Sequence, residues 1–427
     1  MTLLRSAPEL FYFLLACSVG AVVGLVGGFF HRSIDALSGW HSSLVLSQPG
    51  WLSILLVALV TATLTVLVAW LVRRFAPEAA GSGVQEIEGV MADQRVLRWQ
   101  RVLPVKFFGG IASLSSGLVL GREGPTIHIG ASVAAAFAGR LRLGEVDRKG
   151  LLAAGAAAGL ACAFNAPLAA TIFVVEEMRR HFPYSFKNLT AVGLACILAT
   201  VVSDAMGGSA PDLFMPVSAE PPALSVLPWF AVLGLAMGVL GVLLNRSLLF
   251  MGTVVPRCHR RAPYVFQAVV GAAAGVLLAV FPMAVTGGEH LVHDFGVTTP
   301  SVALLLGLVV LRFATTVLSY ATGVPGGIFA PILSLAMCAG LAFGLWVEWV
   351  SPHLGIDPVL FGLAAMGGLF TASVHAPLVG IVLIAELTGA YTLLLPLMLT
   401  CLCALTMARL LRGQPIYEAL LERLLRN

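Results

Sequence analysis

Apolar stretches long enough to cross a bilayer recur along the whole chain. They fall at about 10–30, 51–72, 187–206, 225–250, 264–285, 299–321 and 392–411, each close to the ~20 residues that a transmembrane helix needs. In lipid every backbone polar group must find an internal partner, so helices are the expected elements. Composition agrees: 59% of the 427 residues are hydrophobic and only 11% are charged, with a mean hydropathy of +0.95. A soluble domain carries about 25% charged residues, so water cannot solvate this surface all round. That excludes a soluble enzyme, a nucleic-acid binder and a disordered scaffold. The formal net charge of +4 implies no polyanionic partner.

Between these spans lie apolar pieces cut by glycine and proline, at about 81–91, 104–120, 121–138, 150–178, 326–349 and 359–390. They read as too short or too broken for plain spans, and broken backbone in a bilayer must be buried in protein or line a cavity. Polar connectors are brief, the longest being about 207–222, and beyond Leu411 only a short amphipathic tail is expected. Arg5 precedes an apolar run from Leu10 to Phe30 without a cleavage region of the A-x-A kind, which predicts a retained membrane helix. Six of the seven cysteines sit in apolar runs and none forms CxxC, as small buried hydrophobes do.

The chain contains an internal repeat. Asn165-Ala166-Pro167-Leu168, running on to Glu176, matches His375-Ala376-Pro377-Leu378, running on to Glu386, at an offset of 210. Upstream, Gly121-Arg122-Glu123-Gly124-Pro125 pairs with Gly327-Ile328-Phe329-Ala330-Pro331 at an offset of 206. Two similar offsets in one order indicate a duplicated half, and transporters commonly place their sites where two such halves meet. Whether the second half is inverted stays open at this level. Arginine and lysine cluster at 73–101, 140–149 and 257–261, and Arg409 and Arg412 flank the last span. The last pair suggests a cytoplasmic C-terminus; the other clusters do not divide cleanly between sides.

Three glycine-rich helix starts stand out: Gly81-Ser82-Gly83-Val84-Gln85, Gly121 to Pro125, and Gly326 to Pro331. Proline suits a first helical turn, and glycine lets backbone approach an ion. Exposed N–H groups and the positive end of the helix dipole then favour an anion. Held by partial charges without a full cation, it binds weakly enough to leave, as conduction requires. Ser82-x-x-Gln85 also fits a capping box, and a capping hydroxyl can still donate its own proton to an anion.

Ionisable groups inside a membrane are costly and therefore functional candidates. Glu123 sits in one of the helix starts, where its carboxylate can occupy the anion position and vacate it on protonation; the alternative is an ordinary N-terminal glutamate facing the dipole. Glu176 has a repeat partner in Glu386, which points to a shared structural role. Glu177 corresponds to Leu387 and has none, so it is the better candidate for a proton relay, with a helix-end salt bridge as the alternative. Glu86 and Glu88 read as buried structural acids. Tyr391 follows Glu386 at a break between apolar segments, facing a cavity or lying at the membrane interface. Glu289-His290-x-x-His293-Asp294 lacks further ligands at a known spacing, so no metal is expected. No HExxH, Walker A or GxSxG supports an enzyme.

Gly81-Ser82-Gly83-Val84-Gln85-Glu86, Gly121-Arg122-Glu123-Gly124-Pro125, Gly327-Ile328-Phe329-Ala330-Pro331, the Asn165 to Arg179 stretch and the segment ending at Tyr391 closely resemble the CLC chloride channel and transporter family, in order and over nearly the whole chain. The look is that of bacterial members without cytoplasmic regulatory domains. The resemblance implies an all-helical membrane fold of two inverted halves with many tilted, broken helices. It would form one domain over 1–427, with halves at about 10–206 and 225–411. It also implies a homodimer in a bacterial inner membrane, each subunit with its own anion path and no cofactor. Ser82 and Tyr391 would donate hydroxyls to a central chloride, joined by the backbone N–H groups of Ile328 and Phe329. Glu123 would be the external gating glutamate and Glu177 the internal proton glutamate, a pairing that implies antiport of chloride against protons. The alternative is a passive voltage- or pH-gated chloride channel. Gln85 departs from the proline many members carry there, which bears on detailed selectivity. Ser82 and Tyr391 argue against the fluoride-exporting branch.

Overall fold

Backbone that cannot bond to water closes its hydrogen bonds within helices. In the computed structural model, which describes residues 2–47, 50–141, 143–207, 222–297 and 300–426, this yields seventeen α-helices and five 3-10 turns. Among the described residues the only extended pairing is two isolated bridges. Seven helices are long and apolar enough to span a membrane. Five of them fall on the expected spans with little change. The first is longer than its apolar core, running from Thr2 to Ser47, roughly 70 Å at 1.5 Å per residue.

Two assignments change. The stretch at 264–285 is a short helix, Val265–Val280, closed by Phe281 and the proline-started turn Pro282–Ala284. The piece at 326–349 is instead an unbroken helix, Phe329–Val350. Its one proline, Pro331, sits in the first turn, where a missing N–H costs nothing, and Gly326 and Gly327 precede the helix; Gly340 and Gly344 lie inside it, packed against the helix that starts at Pro358.

The repeat is visible as two helix pairs. Glu145–Phe164 followed by Pro167–Glu176 matches Pro358–Val374 followed by Pro377–Thr388. Each pair turns on a residue with positive φ, Asn165 at 53° and His375 at 65°. The two short helices cap each other. Glu386 accepts from the N–H groups of Leu168 and Ala169 at 3.1 and 2.8 Å, and Glu176 accepts from those of Leu378 and Val379 at the same distances. Each carboxylate satisfies orphan donors at the positive end of the other helix. The helices therefore run antiparallel, and the halves are inverted.

Ion pairs tie parts of two basic clusters to one another and to the C-terminal helix. Arg95 holds Glu86 at 3.0 Å, Arg148 lies 3.6 Å from Asp93, Lys149 also bonds Asp93, and Arg180 bonds Glu418 on the C-terminal helix Ile416–Arg426. Arg423 of that helix donates to the carbonyl of Leu249, which ties it to the middle of Leu227–Arg261. Arg312 is a different case, fully buried within Val302–Ala321. Its guanidinium donates to the carbonyls of Met283, Val285, Thr286 and Gly287 and to Ser334 Oγ. This charge pins a loop leading to Glu289, and hydrogen bonds offset its burial.

Candidate anion and proton site

The three glycine-rich helix starts meet. Gly81 bridges Pro325 and Gly121 bridges Gly327, through backbone bonds of 2.7 to 3.2 Å. Lys106, fully buried on the helix Trp99–Leu114, donates to the carbonyls of Ala79 and Gly81 at 3.1 and 2.6 Å. A buried amine thus braces the loop from behind through two of its carbonyls. The starts of Val84–Met91, Glu123–Leu141 and Phe329–Val350 converge so closely that side chains are excluded. A Cβ on Gly124 would stand 2.4 Å from Ser82 Oγ.

Ser82 does not cap its helix. The N-cap is Gly83, at a φ of 95° that favours glycine, and no side chain bonds there. Ser82 is fully buried and its hydroxyl has no partner. Next to it lies the hydroxyl of Tyr417, also buried; the two interact, but neither reaches good hydrogen-bond geometry with any group among the described residues. The Tyr417 ring stacks on Phe329, with centroids 6.1 Å apart and planes 27° from parallel. Two poorly satisfied hydroxyls side by side in a dry core are costly unless an acceptor within reach of both takes their protons. Ile328 is the N-cap and Phe329 the first residue of their helix, so their N–H groups are among its orphan donors.

Tyr391 is not part of this site. Gly389, in the left-handed conformation, ends the preceding helix, and the chain enters a 3-10 turn that leaves Tyr391 66% exposed. Tyr417 takes the expected place, carried by a tail that is no mere appendage: Ile416, Tyr417, Ala419 and Leu421 are buried. Apolar residues at helical spacing after Pro415 were the available signal, since such a face must be covered.

Glu123 is 1% exposed, and its carboxyl lies against its own backbone N–H and that of Ala330. It therefore occupies helix-start donors of the kind that would hold an anion. Its neighbour Arg122 lies 3.9 Å from Asp35 and 3.8 Å from Glu289. Glu177 stands at the end of Pro167–Glu176, and the carboxyl groups of Glu177 and Glu88 lie close enough to interact. Glu86, by contrast, is taken up by Arg95. Glu177 and Glu88 line a cavity of about 240 Å³ together with Arg179, Arg180, His375 and Glu418. At about 30 Å³ each, several waters fit there. Tyr417 lies within electrostatic range of both Glu123 and Glu177.

Residues 64–409 match the voltage-gated chloride channel family, CLC. The chain belongs to that family. It is 42% identical, over 99% of its length and 92% of the relative, to the H(+)/Cl(-) exchange transporter ClcA of Vibrio parahaemolyticus. It is 44% identical to ClcA of Vibrio cholerae serotype O1, over 97% of the chain and 89% of the relative. Among solved structures it superposes on a slow cyanobacterial Cl-/H+ antiporter with a TM-score of 0.93 at 34% identity, covering 97% of this chain and 98% of that one.

In a CLC chain with this geometry the closeness of Gly124 to Ser82 is itself a test. A methyl group there wedges the two helix starts apart, and overpacking of this kind costs about 1–3 kcal/mol. Gly124→Ala is expected to lower chloride efflux from proteoliposomes about tenfold or more, since 1.4 kcal/mol is a factor of about ten.

Proposed function

We propose that this CLC protein is an antiporter that exchanges chloride against protons. The observation that carries the reading is the pairing of two carboxylates about one anion site: Glu123 lies among the helix-start amides and Glu177 on the wall of a hydratable cavity, with Ser82 and Tyr417 between them. Chloride occupies the space faced by the two hydroxyls and the N–H groups of Ile328 and Phe329. Glu123 competes with it as a carboxylate and leaves when protonated. Glu177, with Glu88, exchanges that proton with the cavity. The names of the ClcA relatives and of the cyanobacterial antiporter support exchange over passive conduction.

The two halves, about 10–206 and 225–411, form one membrane unit that moves ions without a cofactor and catalyses no covalent chemistry. The end where Arg95, Arg148, Lys149 and Arg180 join the C-terminal helix faces the cytoplasm of a bacterial inner membrane, in line with the positive-inside rule. The protein works as a homodimer, and since one chain supplies every site residue, each copy has its own path.

In liposomes holding the protein, an imposed chloride gradient should drive protons uphill. Chloride movement with no proton flux would mean a passive channel. Glu177→Gln is expected to cut proton transport about a hundredfold, the scale of a lost proton-transfer group, while chloride flux persists.

A further inference from the structure

Where the helix Gly50–Phe75 ends beside Trp99–Leu114, a groove of about 560 Å³ opens on the surface. Leu71, Phe75, Val105 and Phe108 make it apolar, and Arg74 and Arg101 are the only charges lining it. Phe75 and Phe108 are 49% and 67% exposed, at ease against lipid. Two arginines in such a place are not. The nearby Arg95 and Arg98 have acid partners in Glu86 and Glu78. Among the described residues neither Arg74 nor Arg101 has one; the Arg74 guanidinium only leans over the Phe75 ring at 5.7 Å. Unpaired positive charge at the mouth of an apolar groove calls for an anion with an apolar body. The guanidinium fork matches a phosphate, and basic pockets between membrane helices take anionic headgroups.

We infer that this groove binds an anionic glycerophospholipid, with its phosphate on Arg74 and Arg101 and the start of an acyl chain along Leu71, Phe75 and Phe108. Both walls of the groove run into the anion site. Phe75 leads through the single turn Pro77–Ala79 to Gly81 and Ser82. Val105 adjoins Lys106, whose ammonium holds the carbonyls of Ala79 and Gly81. A lipid seated between the walls sets their spacing and thereby modulates chloride transport. This second half rests on the function proposed above; the binding does not.

The test takes the full chain from vesicles of phosphatidylcholine with or without phosphatidylglycerol, and measures retained lipid by native mass spectrometry. The wild type should retain phosphatidylglycerol and not phosphatidylcholine. The Arg74→Gln/Arg101→Gln double variant should bind it about thirtyfold more weakly, the effect of two arginines near a membrane surface. Arg257→Gln/Arg260→Gln, the same charge loss elsewhere, should retain it. Equal retention by the groove variant, equal retention of phosphatidylcholine, or full displacement by inorganic phosphate overturns the site. Chloride efflux of the wild type should differ between the two vesicle types by about fivefold, an ordinary coupling between sites, and that of the groove variant should not. Lipid binding without that difference overturns the regulatory half. Absence of chloride flux in every lipid strikes the proposed function and leaves the lipid result standing.

Discussion

Glu123→Gln is expected to abolish proton transport while chloride still moves. The side chain is almost completely buried, and its carboxyl faces the N–H groups of Glu123 and Ala330, so as a carboxylate it competes with chloride for helix-start donors. Glutamine keeps the shape but cannot ionise. It mimics the protonated state permanently, which leaves the anion path open and removes the group that carries the proton. Proton uptake should fall by about a hundredfold or more, the usual worth of an acid–base group, and chloride efflux should lose its dependence on this titration. Parallel chloride and pH electrodes on one liposome suspension read both quantities. Proton uptake that survives the change would show that the coupling lies elsewhere.

The second large effect is expected at Tyr417 and not at Tyr391. Removing the Tyr417 hydroxyl takes away one of two donors facing the anion position. A hydrogen bond to a charged partner is worth about 1.5–3 kcal/mol, so Tyr417→Phe should raise the Kd for chloride about tenfold or more. Tyr417→Ala goes further. It deletes the ring stacked on Phe329, at a stability cost of about 3 kcal/mol or more, and opens a passage between the anion site and the cavity. Chloride should then slip through without protons, lowering the proton-to-chloride flux ratio. Tyr391→Phe, at an exposed position, should leave affinity and ratio unchanged. Calorimetric titration of chloride into the purified protein measures the affinities. An affinity change at Tyr391 in place of Tyr417 would refute the assignment.

Much of this architecture was legible without coordinates. The spans follow from apolar length, because a bilayer sets the number of residues a helix must have. The glycine-rich starts follow from local backbone demands, and the repeat from simple offsets. The doubling of Glu176 by Glu386 but not of Glu177 separated a capping pair from the acid on the cavity wall. Boundaries were weaker. At 326–349 glycine and proline read as a broken segment, yet the proline lies in the first helical turn and the interior glycines Gly340 and Gly344 are packing positions; composition in a window does not register where in a helix a proline falls.

Tyr417 could not be placed from its neighbours in the chain. Local sequence showed an amphipathic tail beyond Leu411, and the Pro415-Ile416-Tyr417 face becomes meaningful only once the tail is folded against Phe329 and Ser82, which are distant in sequence. Lys106 is similar, a charge in an apolar helix whose partners are two carbonyls on another loop. The side on which Arg95, Arg148 and Arg180 lie was likewise not readable from sequence; ion pairs to Glu86, Asp93 and Glu418 join them to the C-terminal helix.

The sequence by itself determined a helical membrane chain, a duplicated half, three glycine-rich helix starts and two carboxylates, Glu123 and Glu177, in apolar surroundings. These are local or periodic properties, set by residue type and spacing. Only the tertiary structure decided that the halves are inverted, that the starts converge, and which tyrosine closes the site. Those are facts about distance between remote segments, set by the packing of helices against one another.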